Sequence, residues 1–187
     1  MAIEIQELTV EQYLALEAES EIKHEYIDGE IFPMPGGTLI HDQIIMNLTL
    51  TLGAQLIDSD CRLHTSHMRV GLSPTRYVYP DLSAVCGEAE TDDGATTLLN
   101  PVFVVEVTSP TSIERDRERK VELYGAVPSI QGYLILDQDR AFAAWYTRAE
   151  SGWRLRQFSD LAAEITLEPL GCTLKLAEIY RGVKLQA

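Results

Sequence analysis

The chain has 187 residues, 45% of them apolar and 24% charged, with a formal net charge of −14. That length suits one hydrophobic core and is marginal for two, so a single domain over residues 1–187 is expected. The acidity argues against a protein that coats nucleic acid through a positive surface, because phosphate neutralisation supplies most of that affinity. No apolar run approaches the ~20 residues that span a bilayer, and Met1-Ala2-Ile3-Glu4 lacks the basic and then apolar stretch of a secretory leader. The expectation is a cytoplasmic protein with no membrane partner. Cys61, Cys86 and Cys172 are scattered, without metal-ligand spacing, and read as reduced apolar residues.

Thr9 followed by Gln12 is a capping-box pattern that opens a helix with Val10, Tyr13 and Leu14 on its apolar side. Asp28-Gly29 between two short β-forming runs predicts a two-residue hairpin. Pro33 to Gly37 breaks the chain before a long helix over about Thr38 to Ile57, with His41, Ile45, Leu48 and Leu52 on one face. Strands are expected over His64–Leu72, Tyr77–Val85 and Val102–Val107, with Gly87–Asn100 as an exposed loop. A second main helix runs from about Ser112 to Ala126, with Thr111 and Glu114 as its capping box. Strands then follow at Gly132–Leu136, Ala141–Tyr146 and Trp153–Phe158, with a tight turn at Asp137–Arg140. A terminal strand or helical turn is expected after Leu170. The pattern is α/β of the α+β type: one hairpin-rich sheet with two main helices against it.

Three residues are out of place in a plain core. Asp81 follows Pro80 inside an apolar β run, which calls for a bend or an edge there. Its charge is costly unless compensated, although a Pro-Asp pair alone is most simply a turn. Glu106 interrupts the continuous apolar strand Val102-Phe103-Val104-Val105-Glu106-Val107. A carboxylate there needs a cation, an arginine or a metal, unless it faces outward near the strand end. At about 100° per residue, Lys120 falls in the apolar stripe with Ile113 and Tyr124, and Asp116 borders it. If the helix folds back over its strand, Lys120 returns to the level of Glu106; a snorkelling lysine is the alternative. His41, on the core face of its helix, either assists them or is a satisfied core histidine.

Charge is also unevenly placed. Cys61 to Pro80 contains Arg62, His64, His67, Arg69 and Arg76 with no acid, and Arg140, Arg148, Arg154 and Arg156 are opposed only by Glu150. These runs are either solvated strand faces or a phosphate-facing surface on an acidic body. Two carboxylates and a lysine are what metal-assisted phosphodiester hydrolysis requires. The acids hold Mg²⁺ or Mn²⁺ through oxygen, and the lysine stabilises charge on the phosphate and helps activate water. No Gly-x-Ser-x-Gly elbow suggests a serine hydrolase instead.

Tyr79-Pro80-Asp81 and Glu106-Val107-Thr108 resemble the PD-(D/E)xK nuclease pattern with the lysine moved to the next helix. Further matches are Glu25-Tyr26-Ile27-Asp28-Gly29-Glu30-Ile31, Met34-Pro35-Gly36-Gly37 with His41, and Tyr79-Pro80-Asp81-Leu82-Ser83. They continue through Asn100-Pro101, Val105-Glu106-Val107-Thr108-Ser109-Pro110-Thr111, Asp116 with Lys120 and Tyr124, and Ile130-Gln131-Gly132-Tyr133-Leu134. As an ordered set they resemble the Uma-two family of restriction-endonuclease-like proteins. The resemblance implies a restriction-endonuclease-like core, in which a mixed central sheet is flanked by helices and an N-terminal hairpin. It also implies a homodimer acting on DNA, with Asp81 and Glu106 as metal ligands, the Val107 carbonyl as a third, and Lys120 as the catalytic lysine. Glu25, His41 and Asp116 become supporting residues. Two positions depart from the pattern: Thr108 stands where the usual lysine would be, and Gly132 where the family often has Glu. The leading expectation is therefore a Mg²⁺- or Mn²⁺-dependent endodeoxyribonuclease. The alternative is a catalytically inactive dimeric interaction protein that retains the fold.

Overall fold

A computed structural model describes residues 7–34, 36–92, 94–108 and 113–185, with the backbone alone for 113–118. Helix α1 (Val10–Glu19) starts at Thr9, whose side chain accepts from the Gln12 amide while the Gln12 side chain accepts from the Thr9 amide. Strands β1 (His24–Ile27) and β2 (Glu30–Pro33) form the expected hairpin. Its turn residues Asp28 and Gly29 both take positive φ, 52° and 102°, which suits a right-twisted hairpin and favours Asp-Gly. Helix α2 (Leu39–Leu56) follows, capped by the Thr38 side chain on the His41 amide.

Next come β3 (Cys61–Thr65), β4 (Arg69–Ser73), β5 (Arg76–Val78), β6 (Leu82–Cys86), β7 (Thr97–Leu98) and β8 (Phe103–Thr108). Helix α3 (Ile113–Gly125) crosses over to β9 (Gly132–Asp137), which meanders into β10 (Ala143–Arg148) and β11 (Trp153–Phe158). The hairpin β12 (Glu164–Leu167) and β13 (Cys172–Lys175), with a single 3₁₀ turn at Glu168–Leu170, leads into the short helix α4 (Leu176–Ile179).

The central sheet has the order β11-β10-β9-β8-β6-β3, parallel at β8/β9 and antiparallel elsewhere. The parallel pair forces a crossover, and α3 is that crossover. A second sheet has the order β2-β1-β5-β4-β7. Alternation along β8 sends Phe103, Val105 and Val107 into a core with Ile44, Leu48, Leu52 and Leu56 of α2. Val104 points the other way, into a core with Tyr124 and Val127 at the α3 end and Val70 and Val78 of the second sheet.

Several expectations need correction. The single expected sheet is replaced by the two larger sheets and the β12/β13 pair, and two runs read as single strands each divide between the larger two. His64–Leu72 breaks at a turn closed by the Met68 amide on the Thr65 carbonyl, leaving β3 in the central sheet and β4 in the second. Tyr77–Val85 breaks at Tyr79-Pro80-Asp81, where proline cannot continue the ladder, so β5 and β6 also fall in different sheets. The expected loop Gly87–Asn100 contains β7, which pairs in parallel with β4. Cys61 and Cys86 face each other across the β3/β6 register and form a disulfide, so only Cys172 is free, and it is buried. The Thr111–Glu114 capping box lies outside the described residues.

Candidate active site

Pro80-Asp81 sits where the chain passes from the second sheet into the central one, beside the C-terminal half of β8. Asp81 Oδ2 accepts the Val107 amide at 2.7 Å and lies 3.1 Å from His41 Nε2, delivered by the first turn of α2. Glu106 follows from the β8 alternation: with neighbours on both faces buried, it points toward α3 and is itself 8% exposed. α3 runs back over β8 and puts Lys120 Nζ 2.8 Å from Glu106 Oε1. The same ammonium lies 3.0 Å from Oε1 of Glu25, from β1. One turn further along α3, the Tyr124 hydroxyl donates to Glu106 Oε1 at 2.6 Å.

These groups open onto a cavity of about 680 Å³, a size suited to a ligand rather than to a few waters. Asp81, Glu106, Val107, Thr108, Lys120, Glu25 and His41 line it, with Phe32, Gly36, Gly37 and Arg119 at one side. Arg119 stands 4.9 Å over the Phe32 ring, lies 3.9 Å from the Glu30 carboxylate and is 44% exposed beside the cavity.

Burial is the main cause that raises the Glu106 carboxyl, to about 7; the Lys120 ammonium opposes the rise, and Asp81 and Glu25 add to it. Burial disfavours the charge on Lys120, but the Glu106 and Glu25 carboxylates outweigh it and hold the ammonium above its ordinary range. The hydrogen bond to Asp81 raises His41 against the opposing effect of burial. Burial, and then the Glu106 carboxylate, push the Tyr124 phenol well up, so it stays a donor.

The structure brings together Asp81, Glu106, Lys120, Glu25 and His41, with the Val107 backbone beside Asp81. The Asp116 side chain lies outside the described residues. Tyr124 was missed as a site residue, although its position one turn after Lys120 on the same stripe was a usable signal. The departure at Gly132 has a steric reason: a Cβ there would overlap the Trp145 ring, so no acid can occupy the position without repacking. Thr108 lines the cavity and offers no cation, and the lysine that lines it is Lys120.

Most arginines of the basic runs have partners within the chain, while Arg154 is exposed on β11. Arg69 is buried against Thr97, Thr96 and Asp92, and Arg76 pairs with Asp28. Arg62 bonds the Ser59 and Cys61 carbonyls, and Arg148 bonds the Gly125, Val127 and Ile130 carbonyls just beyond α3. Arg140 and Arg156 pair with Asp137 and Glu168. Among the described residues, one cluster of three His, Cys, Asp or Glu has its donor atoms close enough together for a shared ion. It is Asp60 with Cys61 and Cys86, whose sulfurs are already bonded to each other. Asp81 and Glu106 are thus a pair of carboxylates rather than a closed cage.

Residues 10–177 match the Uma2 (Uma-two) family, described as "Putative restriction endonuclease". The chain belongs to the Uma2 family. Two uncharacterized proteins of Synechocystis sp. are similar to it over most of their length. One is 31% identical over 94% of this chain and 93% of its own, the other 30% identical over 84% and 91%. A crystal structure described as a putative nuclease belonging to DUF820, from Anabaena variabilis, shares the fold. It matches with a TM-score of 0.78 over 92% of this chain and 97% of its own, at 17% identity. The Uma2 fold is thus the mixed α+β, restriction-endonuclease-like arrangement expected from the sequence. In this member its cavity is walled by β8, α3, the start of α2 and the β1–β2 hairpin.

Proposed function

We propose that this Uma2 protein is a divalent-metal-dependent DNA endonuclease, a cytoplasmic homodimer that hydrolyses phosphodiester bonds with Asp81, Glu106 and Lys120. One observation carries the reading: two carboxylates, Asp81 from the bend before β6 and Glu106 from β8, open onto one cavity with the Lys120 ammonium 2.8 Å from Glu106. The donor chemistry fits Mg²⁺ or Mn²⁺. Both are hard cations that prefer oxygen and keep several waters, so two carboxylates need no further side-chain ligand. Asp81 and Glu106 would hold the ion, with the Val107 carbonyl as a further oxygen. Among the described residues, the hydrogen bonds found at these acids go to Asp81 Oδ2 and Glu106 Oε1, which leaves Oδ1 and Oε2 for an ion. When bound, the ion supplies Lewis-acid polarisation of the phosphate and a more acidic water.

The remaining chemistry belongs to the chain. Lys120 stabilises negative charge on the phosphate, and Glu25 and Glu106 keep it protonated for that task. Tyr124 fixes the Glu106 oxygen that faces Lys120, and His41 with the Val107 amide fixes Asp81. Arg119, which lines the cavity and is partly exposed, would meet a backbone phosphate by exchanging the Glu30 carboxylate for it. A second reading, an inactive interaction protein on the same fold, is favoured by the net charge of −14 and by the internal bonding of the arginines. The two are separated by incubating the chain with duplex and single-stranded DNA in Mn²⁺ or Mg²⁺, beside Asp81→Ala and Lys120→Ala. Metal-dependent cleavage abolished by both substitutions supports the nuclease. Cleavage that survives both rules out this site, and a wild type without cleavage on either substrate favours the second reading.

A further inference from the structure

Helix α2 departs from the amphipathic pattern of a surface helix. Its inward side buries Ile44, Leu48, Leu52 and Leu56. Its outward side carries Leu39, Met46 and Leu50, continued by the C-cap residue Ile57 in helical conformation, and these are 83%, 50%, 64% and 75% exposed. At about 100° per residue these four fall within about 40° of one another, along about 27 Å of helix. Over its 18 residues α2 contains one acid, Asp42, and no lysine or arginine, in a chain that is 24% charged. A helix apolar on two sides normally has something packed on both.

The order of residues on this stripe says what covers it. Leu39, Gln43, Met46, Leu50, Gly53 and Ile57 are spaced symmetrically about the level of Leu48. Reversed end for end, the stripe sets Leu39 on Ile57, Gln43 on Gly53 and Met46 on Leu50. Such a surface is self-complementary under a two-fold axis. The pairing also matches bulk to space, since a Cβ at Gly53 would meet nothing within 4 Å. Two copies each carrying −14 repel over most of their surface, so a nearly uncharged face is where they can meet. A parallel pair would set Gly53 on Gly53 and Asp42 beside Asp42, with the helix dipoles aligned. A lipid surface is a poorer match, because membrane-bound helices flank their apolar face with lysine and arginine.

We propose that the outer face of α2 is the contact between two copies of this chain, packed antiparallel about a two-fold axis at the level of Leu48. This deepens the homodimer part of the proposed function and makes no use of its catalytic part. The cavity lies at the N-terminal end of α2, so the two cavities of the pair sit at opposite ends of the paired helices.

The experiment is sedimentation equilibrium on the full chain, with circular dichroism melts to show that each variant is folded. The wild type is expected to be a dimer. Leu50→Glu should weaken it by at least ~tenfold, because an anchor at the centre of the contact becomes a buried charge. Its melt should move little, since Leu50 is exposed within the chain. Adding Met46→Lys should restore association, because the new cation meets the partner's new carboxylate in the antiparallel register. Failure of that rescue overturns the antiparallel register. A Leu50→Glu chain that remains dimeric overturns this face while leaving the homodimer standing. A monomeric wild type removes the homodimer and this face together, without touching the nuclease reading. A monomer that instead floats with phosphatidylglycerol vesicles, and loses this with Leu50→Glu, assigns the stripe to lipid and also overturns the proposal.

Discussion

α2 and α3 flank the same central sheet from opposite faces, and their compositions differ sharply. α2 has one acid in 18 residues, whereas eight of the 13 residues of α3 are charged (IERDRERKVELYG). Under α2 the sheet presents Val105, Val107 and Leu134, and the contact is apolar. At the α3 end it presents Glu106, and the contact is an ammonium and a phenol converging on a buried carboxylate. The α2 face lowers the free energy of the folded chain through area removed from water. The α3 face places charges where burial disfavours them, a configuration that persists only because each has a partner. The α2 face is apolar, whereas the α3 face combines an apolar core with a buried charge cluster, and variants on each should fail differently.

The largest effect is expected from Lys120→Met, which keeps the stem and removes the ammonium. Metal-dependent DNA cleavage, read as an initial rate, should fall by roughly 10²–10³-fold, while the Glu106 carboxyl, already raised by burial, goes up further once the opposing ammonium is gone. A comparable rate for this variant would dissolve the contrast between the two faces. Leu48→Ala on the α2 face should cost about 2–5 kcal/mol. That lowers the melting temperature by roughly 4–20 °C, and the folded fraction should keep its metal dependence.

A third test uses pH in the metal-free protein under chelator. The Glu106 carboxyl is raised above its ordinary value to about 7, so the folded chain holds a proton that the unfolded chain releases. Its contribution to stability is present below about pH 4.5, the ordinary carboxylate range, and is lost as pH rises through about 7. His41 is raised too and acts in the same direction, so the wild type must be compared with Glu106→Gln. Between pH 5 and 8 the melting temperature of the wild type should fall further than that of Glu106→Gln. Equal slopes would mean that Glu106 is not held protonated by burial. The smallest effect is expected from Tyr124→Phe. Losing one hydrogen bond to a carboxylate should weaken Mn²⁺ binding by about tenfold in calorimetry and lower stability by about 1–3 kcal/mol.

Local physics carried much of this structure into the sequence. Asp28-Gly29 demands the positive φ of a tight hairpin, Thr9 and Gln12 satisfy each other's amides, and the apolar run before Val107 can only be a buried strand. Glu106 was conspicuous for the same reason: a charge inside that run requires a compensating group. Lys120 was conspicuous because its angular position puts an ammonium on the apolar side of α3. Each of these depends on residues within a few positions of one another.

What the tertiary structure alone decided are the long-range closures. Lys120 finds Glu25 across 95 positions, and Cys61 finds Cys86 only because β3 and β6 are in register. The passage between sheets at Ser66–Met68 and at Pro80-Asp81 turned two apparent strands into four, since strand propensity is the same whichever sheet receives the strand. Six of the seven arginines in the basic runs were drawn to nearby carboxylates and carbonyls once the fold brought these within reach, and Arg154 stayed exposed on β11. By itself the sequence determined which residues could not be left unpartnered, because burial of a charge is costly wherever it happens. Only the fold decided who the partners are.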